Sequence, residues 1–183
     1  PGYINPKSFV RRLTEGQPED AIYVADVGQN QIWSAYNMVV KAKTCFLSSG
    51  GMGTMGYAIP AAMGARLADP TRQVIAACGD GSFQMSMNEL ASCLQAGVQL
   101  KVVVFTNRML GMIREIQQNS YGGHFFGSSL EGSPDFMKLA EAYGIPARRL
   151  SDQNQLEEAL EEFLSAPGCR LLEVAVDPEE TSI

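Results

Sequence analysis

The fold is decided by the stretch Gln73-Val74-Ile75-Ala76-Ala77-Cys78-Gly79-Asp80-Gly81-Ser82. It opens with an apolar run of the length that a buried β-strand has. A glycine, an acid, a second glycine and a serine follow, and a helical pattern then covers 89–95 and stops before Gly97. A buried strand that leads into a helix is typical of a parallel sheet covered by helices.

Two further apolar runs repeat this arrangement. The run at 21–25 ends on Asp26-Val27-Gly28, and the run at 100–105 ends on Thr106-Asn107. Other segments add helical patterns at 9–13, 31–36, 58–67, 135–143 and 155–164, and strands at 45–47, near 150 and at 170–176. The alternation predicts a single α/β domain over residues 1–183, with an open, mostly parallel sheet and helices on both faces. Ligands of such sheets bind beyond the carboxyl ends of the strands.

Composition and charge narrow the classes of function. The formal net charge is -6 and the acidic residues are spread along the chain, so no nucleic-acid surface is expected. No apolar run is long enough to span a membrane and the start lacks a signal-peptide pattern, which predicts a soluble, cytoplasmic protein. The cysteines form no Cys-x-x-Cys pair, so buried free thiols are expected. Because residue 1 is proline, we expect a piece of a longer protein or a separately encoded subunit.

The turn that follows Cys78 has the residue types that a phosphate group needs. Glycine and serine between a strand and a helix leave backbone N–H groups free and place a helix N-terminus behind the ligand. A carboxylate repels phosphate, so Asp80 in this turn indicates a cation between them, and Mg²⁺ shares its shell with phosphate oxygens. Asn107 ends a neighbouring strand and offers a neutral oxygen to the same ion. Taken singly, each residue could also belong to an ordinary turn or cap.

Four motifs, in order along the chain, carry a family resemblance. Gly79-Asp80-Gly81-Ser82-Phe83 with Asn107 resembles the thiamine-diphosphate signature, in which the Asp and a downstream Asn bind Mg²⁺. The other three resemble segments of the acetohydroxyacid (acetolactate) synthase catalytic subunit: Asp26-Val27-Gly28-Gln29-Asn30-Gln31-Ile32-Trp33, Ser49-Gly50-Gly51-Met52-Gly53-Thr54-Met55-Gly56 and Leu110-Gly111-Met112. The resemblance covers nearly the whole chain, about residues 4–177.

By this resemblance the chain is the C-terminal domain that binds the diphosphate of thiamine diphosphate together with Mg²⁺. The implied metal ligands are Asp80, Asn107 and the main-chain carbonyl of Met109. The implied cofactor-binding residues are Val27, Gly28, Gln29, Asn30, Gly53, Met55, Gly79, Asp80, Gly81, Ser82, Asn107, Met109, Leu110, Gly111 and Met112.

The resemblance also implies how these residues divide the cofactor. The diphosphate would be held from one side by Gly28 and Gln29 and from the other by Gly81 and Ser82. The carbonyl of Gly53 would accept from the aminopyrimidine. Met55 would wedge between the two rings of the cofactor, a place that suits a flexible apolar side chain, although simple core packing is the alternative.

The implied activity is that of a thiamine-diphosphate-dependent carboligase. It would decarboxylate pyruvate and join the fragment to a second 2-oxo acid, in branched-chain amino-acid biosynthesis or acetoin formation. Such enzymes need a glutamate on a pyrimidine-binding domain, and no segment here resembles that domain. We therefore expect this domain on the same or a partner chain, a homodimer or higher oligomer, and an isolated chain that is inactive.

Two alternatives stay open at this point. One is another thiamine-diphosphate-dependent decarboxylase or lyase, of the glyoxylate carboligase or oxalyl-CoA decarboxylase type, which the loop at 114–134 would decide. The other is a non-catalytic module that binds the cofactor or shapes an oligomer, because the glutamate-bearing domain is not recognised in this sequence.

The sequence departs from the family pattern at three positions. Thr106 replaces the first residue of a common Asn-Asn pair, but the implied ligand Asn107 is kept. Asn30 stands where histidine is common, and an amide cannot titrate. Ile116 stands where anabolic synthases often have a tryptophan, which leaves the second substrate open. The predicted substrate pocket consists of Met85, Met112 and Ile116.

Two further groups of polar residues have simpler interpretations. His124 lies in the glycine-containing segment 121–126, and a surface-loop position is favoured over a catalytic base. Four glutamates alternate with apolar residues at helical spacing, which predicts a solvated helix face rather than a metal cluster: Glu157, Glu158, Glu161 and Glu162.

Overall fold

The computed structural model describes residues 2–183, which form one six-stranded sheet. The strands are β1 (Ile22–Ala25), β2 (Cys45–Ser48), β3 (Val74–Gly79), β4 (Lys101–Thr106), β5 (Ala147–Leu150) and β6 (Arg170–Ala175). Their order across the sheet is β2-β1-β3-β4-β6-β5, and every pairing is parallel. The predicted α/β class with an open parallel sheet is confirmed.

Helices connect the strands and cover both faces of the sheet. They are α1 (Pro6–Gly16), α2 (Gln29–Asn37), α3 (Ala58–Ala68), α4 (Asp80–Ser86), α5 (Glu89–Gln95), α6 (Gly111–Ser120), α7 (Phe136–Ala142) and α8 (Leu156–Ser165). Buried residues of α1, α2 and α8 belong to the core on one face, and those of α3, α4, α5 and α7 to the core on the other. Parallel strands require crossover connections of this kind, and the sheet is buried on both sides as a result.

The two cores meet the same strands from opposite sides, because successive strand residues point to opposite faces. In β1, Tyr23 faces the first core and Val24 the second. Phe105, near the end of β4, packs edge-on against Phe9 and Trp33, with ring centroids 5.5 and 5.7 Å away. Edge-to-face contacts of this kind favour the packed arrangement beyond the area they bury. The carboxyl end of β4 therefore stands on a well-packed aromatic cluster.

The first helix begins earlier than its apolar spacing predicts. The side chain of Asn5 accepts a hydrogen bond from the N–H of Ser8 at 2.9 Å, and Pro6 occupies the first helical position. Both are favourable at a helix start, because the cap satisfies an otherwise free N–H and proline has none to satisfy. The Asn-Pro pair is thus the local start signal of α1.

Two helices were not predicted, α4 and α6. The helix α4 begins at Asp80 itself, directly after β3. The helix α6 covers 114–120 of the segment 114–134, for which a loop is expected, so that prediction is wrong as far as Ser120. None of its residues is fully buried and its N-cap Leu110 makes no side-chain cap, so both signals that identify a helix in a sequence are weak.

The chain changes its direction across the sheet between β1 and β3. From β1 it moves outward to β2, whereas from β3 it moves the other way to β4. Such a reversal leaves a crevice beyond the carboxyl ends of the two strands, where ligands of α/β proteins bind. The residues that follow these strands, Asp26 and Asp80, are therefore neighbours at a binding edge.

The structure also bears on the predictions about membrane spans and cysteines. No helix between residues 2 and 183 has both the length and the apolar character needed to cross a membrane. All four cysteines are free thiols, and Cys78 and Cys93 are buried as expected, but Cys45 and Cys169 are only partly buried.

Candidate functional site

A cleft of about 230 Å³ opens at the carboxyl edge of the sheet, beyond β1, β3 and β4. Every residue that the sequence implied for cofactor binding lines it: Val27, Gly28, Gln29, Asn30, Gly53, Met55, Gly79, Asp80, Gly81, Ser82, Asn107, Met109, Leu110, Gly111 and Met112. Three lining residues were not predicted, namely Trp33, Phe105 and Ile113. Residues from four separate segments of the sequence thus meet at one place.

Asp80 is the acidic group of this cleft. Its side chain is only 2% exposed, and its two oxygens accept backbone N–H groups of Gly81 at 2.8 Å and of Arg108 at 2.6 Å. Burial raises the pKa of this carboxyl group to about 6, and the backbone hydrogen bonds oppose the rise only in part. Among residues 2–183 no lysine or arginine forms an ion pair with Asp80. The buried carboxylate therefore has room for a cation.

The hydrogen bond to Asp80 depends on an unusual backbone conformation at Arg108. Arg108 has φ 57°, the one positive φ outside glycine in the described chain. The left-handed region is uncommon for residues with a side chain, so the surrounding contacts must hold it there. The carbonyl of Arg108 accepts from Leu130 N, and Leu110 N donates to the carbonyl of Ser128, both at 2.8 Å. These bonds fix the turn that carries Asn107 and Met109.

Asn107 and Gln29 form a polar bridge between the ends of β4 and β1. Asn107 Nδ2 donates to Gln29 Oε1 at 3.0 Å, and Gln29 Nε2 donates to the carbonyl of Glu180 at 2.9 Å. The other end of the Asn107 amide, Oδ1, accepts from Met109 N at 3.1 Å. Both side chains are largely buried, so their orientation is set by the protein.

Glycines at the cleft are required by close approach. A Cβ atom on Gly81 would lie 2.8 Å from Leu110 Cδ2, and one on Gly111 would lie 1.8 Å from Gln29 Oε1. Gly28 has φ 134°, a conformation that residues with a side chain rarely adopt, and α2 begins there without a side-chain cap. At Gly81 and Gly111 a side chain would therefore collide with neighbours that line the cleft.

Asn30 links the ends of β1 and β3. Its Nδ2 donates to the carbonyls of Asp26 at 2.9 Å and of Ala77 at 3.1 Å. The histidine that is common at this position could titrate, whereas Asn30 forms both bonds at every pH. Its observed contacts are thus structural, and its oxygen lies near Gly28 and Gly79.

The glycine-rich loop between β2 and α3 supplies Gly53 and Met55 to the cleft. The end of the Met55 side chain lies 3.4 Å from the point where a Cβ of Gly81 would be. The loop is thereby placed opposite the turn that follows β3. Met55 does not belong to either buried core, so core packing does not explain its position.

The three residues of the predicted substrate pocket do not all line the cleft. Met112 lines the cleft, but Met85 and Ile116 lie outside it, with 60% and 47% of their surface exposed. Met85 borders the glycine-rich loop, because its Cβ is 3.1 Å from the ideal Cβ position of Gly56. A substrate role of Met85 and Ile116 stays a prediction, and it requires further walls from outside this chain.

The residues given simpler interpretations lie where those interpretations place them. His124 is exposed in the segment that follows α6. The four glutamates of α8 are exposed, and three of them pair with arginines on neighbouring elements. Within residues 2–183 no group of three His, Cys, Asp or Glu side chains could hold a metal ion on its own.

Magnesium and a diphosphate group fit the donor set of the cleft. Mg²⁺ uses few protein oxygens and fills its shell with phosphate and water, which agrees with one buried carboxylate, one amide oxygen and an adjacent carbonyl. Gly28 and Gly81 line the cleft at the starts of α2 and α4, and backbone at a helix start is suited to a phosphate group. The chemistry of these residues is therefore suited to a shared protein–phosphate metal site.

By its fold and its cleft, the protein belongs to the class of α/β domains that have a ligand cleft at the topological switch of a parallel sheet. The family described as "Thiamine pyrophosphate enzyme, C-terminal TPP binding domain" matches residues 26–174. The chain belongs to this family of thiamine diphosphate (TPP) enzymes, as the resemblance of its motifs implied.

Three curated relatives show which members of the family the chain is similar to. The chain is 42% identical to the probable acetolactate synthase large subunit of Methanococcus aeolicus, over 96% of this chain and 30% of the relative. It is 44% identical to the acetolactate synthase large subunit of Porphyra purpurea, over 97% and 30%. It is 37% identical to the acetolactate synthase isozyme 2 large subunit of Escherichia coli (strain K12), over 94% of this chain and 31% of the relative. The chain thus spans about 30% of the length of the curated relatives it matches.

Proposed function

We propose that this chain binds the diphosphate end of thiamine diphosphate through Mg²⁺ and forms the cofactor-binding part of an acetolactate synthase. The assembled enzyme decarboxylates pyruvate and joins the fragment to a second 2-oxo acid, as branched-chain amino-acid biosynthesis or acetoin formation requires. The observation that carries the proposal is Asp80, a buried carboxylate without a cationic partner that faces a cleft between two glycine turns.

The proposed metal ligands are Asp80, Asn107 and the carbonyl oxygen of Met109. Each carboxylate oxygen of Asp80 accepts one N–H in the structure and keeps a second lone pair for a metal. Asn107 Oδ1 accepts one N–H, that of Met109, and keeps a second lone pair for the metal. The conformation of Arg108 brings these groups together.

The proposed diphosphate contacts come from both sides of the crevice. Gly28 and Gln29 begin α2, and Gly81 and Ser82 lie in the first turn of α4. N–H groups at helix starts favour anions. The N–H of Gly81 donates to Asp80 Oδ1 in the structure, so Gly81 would border the diphosphate rather than offer a free donor. Ser82 Oγ already accepts from Gly79 N at 3.0 Å and donates to Gly79 O at 3.2 Å, so its orientation is set before a ligand binds.

The organic part of the cofactor would lie against Gly53, Met55 and Met112. When bound, thiamine diphosphate supplies the nucleophilic carbon that attacks the 2-oxo acid. The residues of this chain would bind and orient it, and the apolar lining by Met55, Met112 and Ile113 would exclude water from it. Met85 and Ile116 would contribute to the substrate pocket once a second domain closes it.

A pyrimidine-binding domain is proposed to complete the enzyme, on the same or a partner chain in a homodimer or higher oligomer. It would contribute the glutamate that moves a proton to and from the cofactor, a step for which this chain offers no acidic group beside Asp80 in the cleft. The isolated chain is therefore expected to bind the cofactor weakly and to be inactive.

Two measurements test the proposal. Titration calorimetry of the chain with thiamine diphosphate should give binding that requires Mg²⁺. Mixing the chain with a pyrimidine-domain partner, pyruvate, Mg²⁺ and cofactor should then produce acetolactate. Product from glyoxylate or an oxalyl thioester instead would identify the decarboxylase or lyase alternative. Cofactor binding without product from any 2-oxo acid would identify a non-catalytic module.

A further inference from the structure

Asp26 is a buried carboxylate that none of the proposed cofactor contacts uses. It follows β1 and has no exposed surface. Its Oδ1 accepts the N–H of Val27 at 2.8 Å and of Gly56 at 3.0 Å, and its Oδ2 accepts the N–H of Ala58 at 2.8 Å. No ion pair of the described residues includes Asp26. Its partners are thus backbone groups that lie on both sides of the crevice.

These bonds attach the glycine-rich loop to the end of β1. Ala58 is the first residue of α3, whose N-cap Tyr57 gives no side-chain cap, so Asp26 caps this helix from a distant segment. Neither Gly56 N nor Ala58 N has a backbone acceptor within residues 2–183. Without the Asp26 carboxylate both donors would lose their only partner.

The loop has little else to hold it. Gly53 N bonds to Ser49 O at 3.0 Å and Thr54 N to Ser49 Oγ at 3.1 Å, and both bonds lie inside the loop. Met52 is 89% exposed. Among the hydrogen bonds of the described chain, the one from Gly56 to Asp26 is therefore what joins residues 50–56 to the sheet.

We propose that Asp26 is a positioning residue that sets the distance of Gly53 and Met55 from the turn following β3. The inference rests on the proposed function, because it treats these two residues as contacts of the organic half of the cofactor. Asp26 touches neither cofactor nor metal. Its effect reaches the cleft chiefly through the loop, and it leaves in place Asp80 and Ser82, which hold the β3 side of the diphosphate site.

The chemistry of the side chain makes the idea testable with a nearly isosteric change. The amide of Asp26→Asn has one acceptor atom, its oxygen. If this oxygen accepts from Val27 and Gly56, the NH₂ group faces the N–H of Ala58. If it accepts from Ala58, the NH₂ group faces the N–H groups of Val27 and Gly56. Two donors that face each other repel, and the loop end must move away. Asp20→Asn, at the amino end of the same strand, is the matched control.

The experiment compares two ligands of the 183-residue chain by calorimetry in the presence of Mg²⁺. Thiamine diphosphate uses both halves of the cleft, whereas inorganic pyrophosphate uses the diphosphate half alone. We expect Asp26→Asn to weaken thiamine diphosphate binding about tenfold and pyrophosphate binding less than about twofold, and Asp20→Asn to change neither. Equal losses for both ligands, or no loss, would overturn the proposal.

A double-mutant cycle separates positioning from general damage. If Asp26 acts through Met55, then Asp26→Asn in a Met55→Ala background should have less than about half of its effect on thiamine diphosphate affinity in the parent. Additive losses would contradict the proposal. A parent chain that binds neither ligand would refute the proposed function instead, so the two failures are distinguishable.

A second variant covers the case in which Asp26→Asn does not fold. Gly56→Ala leaves the carboxylate in place but strains the loop end, where φ is +88° and a Cβ would lie 3.1 Å from Met85 Cβ. It should give the same selective loss of thiamine diphosphate affinity. In the parent chain, the amides of Gly56 and Ala58 should exchange at least about 100-fold more slowly than that of Met52. Fast exchange at both would overturn the proposal.

Discussion

The ends of β1 and β3 each carry an aspartate, and the two are used differently. Asp26 has no exposed surface, and its oxygens are occupied by N–H groups of Val27, Gly56 and Ala58. Asp80 lines the cleft, and each of its oxygens accepts a single backbone N–H. Burial raises the pKa of both carboxyl groups, so the direction of the shift does not distinguish them.

The difference lies in whether the protein completes the coordination of the carboxylate. At Asp26 the chain supplies three donors from two segments, Val27 beside it and Gly56 and Ala58 at the start of α3, which makes the residue part of the scaffold. At Asp80 each oxygen accepts one N–H, from Gly81 or from Arg108, and the carboxylate lines the cleft with lone pairs left for a cation. A buried acid therefore indicates a binding site only when its own chain leaves part of it unsatisfied.

The largest expected effect is that of Asp80→Ala on cofactor binding. The change removes the only carboxylate ligand proposed for Mg²⁺, so affinity for thiamine diphosphate should fall about 1000-fold, or ~4 kcal/mol. The free energy of unfolding should change by less than about 1 kcal/mol, because Asp80 lines the open cleft, where water can replace the carboxylate as acceptor for the N–H groups of Gly81 and Arg108. Calorimetry and urea unfolding measure the two quantities.

The control for this prediction is Asp20→Ala at the opposite edge of the sheet. Asp20 is partly buried and precedes β1, so it shares the residue type but not the cleft. Unchanged affinity for the cofactor in Asp80→Ala, or an equal loss in Asp20→Ala, would refute the metal-ligand assignment.

Asp26→Ala should lower the free energy of unfolding more than Asp80→Ala does. It leaves the N–H groups of Gly56 and Ala58 without acceptors, and each buried donor without a partner costs about 1–3 kcal/mol, so we expect a loss of about 2–3 kcal/mol. Urea unfolding of Asp26→Ala beside Asp80→Ala measures the contrast. A smaller loss for Asp26→Ala than for Asp80→Ala would remove the distinction between the two strand ends.

The sequence predicts those elements of the fold that bury an apolar face. The runs that became β1, β3 and β4 lie in the core on both sides, and their composition alone marks them as strands of a parallel sheet. The helix α6 has no buried residue, so no apolar period identifies it. The two helices that the pattern does not predict are thus α6, which buries no residue, and the short α4, which contributes Phe83 alone to the core.

The same division holds for the residues of the cleft. Glycine and acid motifs identify Gly81 and Asp80, because close approach and metal binding restrict the residue type. The role of Arg108 is carried by its backbone, which no residue type reveals, and arginine is an unusual choice for φ 57°. The bonds of Asp26 to Gly56 and Ala58 depend on tertiary structure, so the sequence predicts the acid but not its partners.

Gly81→Ala tests the turn after β3 without changing any charge. The added Cβ would meet the end of the Leu110 side chain at 2.8 Å and that of Leu130 at 3.2 Å, which are flexible and can move. The fold should survive with less than about 1 kcal/mol lost, whereas the cleft loses space beside the proposed diphosphate, and affinity should fall about tenfold. Ala91→Gly, at an exposed position of α5, controls for glycine–alanine exchange alone.

Lys101 extends the comparison to the amino edge of the sheet. It is 5% exposed at the start of β4, where its ammonium group donates to the carbonyls of Ala166 and Gly168. Burial lowers the pKa of Lys101 to about 8. The group is thus as perturbed as Asp80, but it faces the end of α8 instead of a cleft. Lys101→Met should leave thiamine diphosphate affinity unchanged.

The smallest prediction concerns the pH dependence of stability that Lys101 causes. Below pH 8 the ammonium is protonated in both states, and between about 8 and 10.5 the unfolded chain binds more protons than the folded one. Its contribution to the free energy of unfolding should therefore rise with pH across that window, by less than about 1 kcal/mol after screening. Urea unfolding of the parent and Lys101→Met at pH 7.5, 8.5 and 9.5 isolates this slope, which the variant should lack. If the parent and Lys101→Met show the same slope, the pKa of Lys101 is the same in the folded and the unfolded chain. Burial would then not lower it.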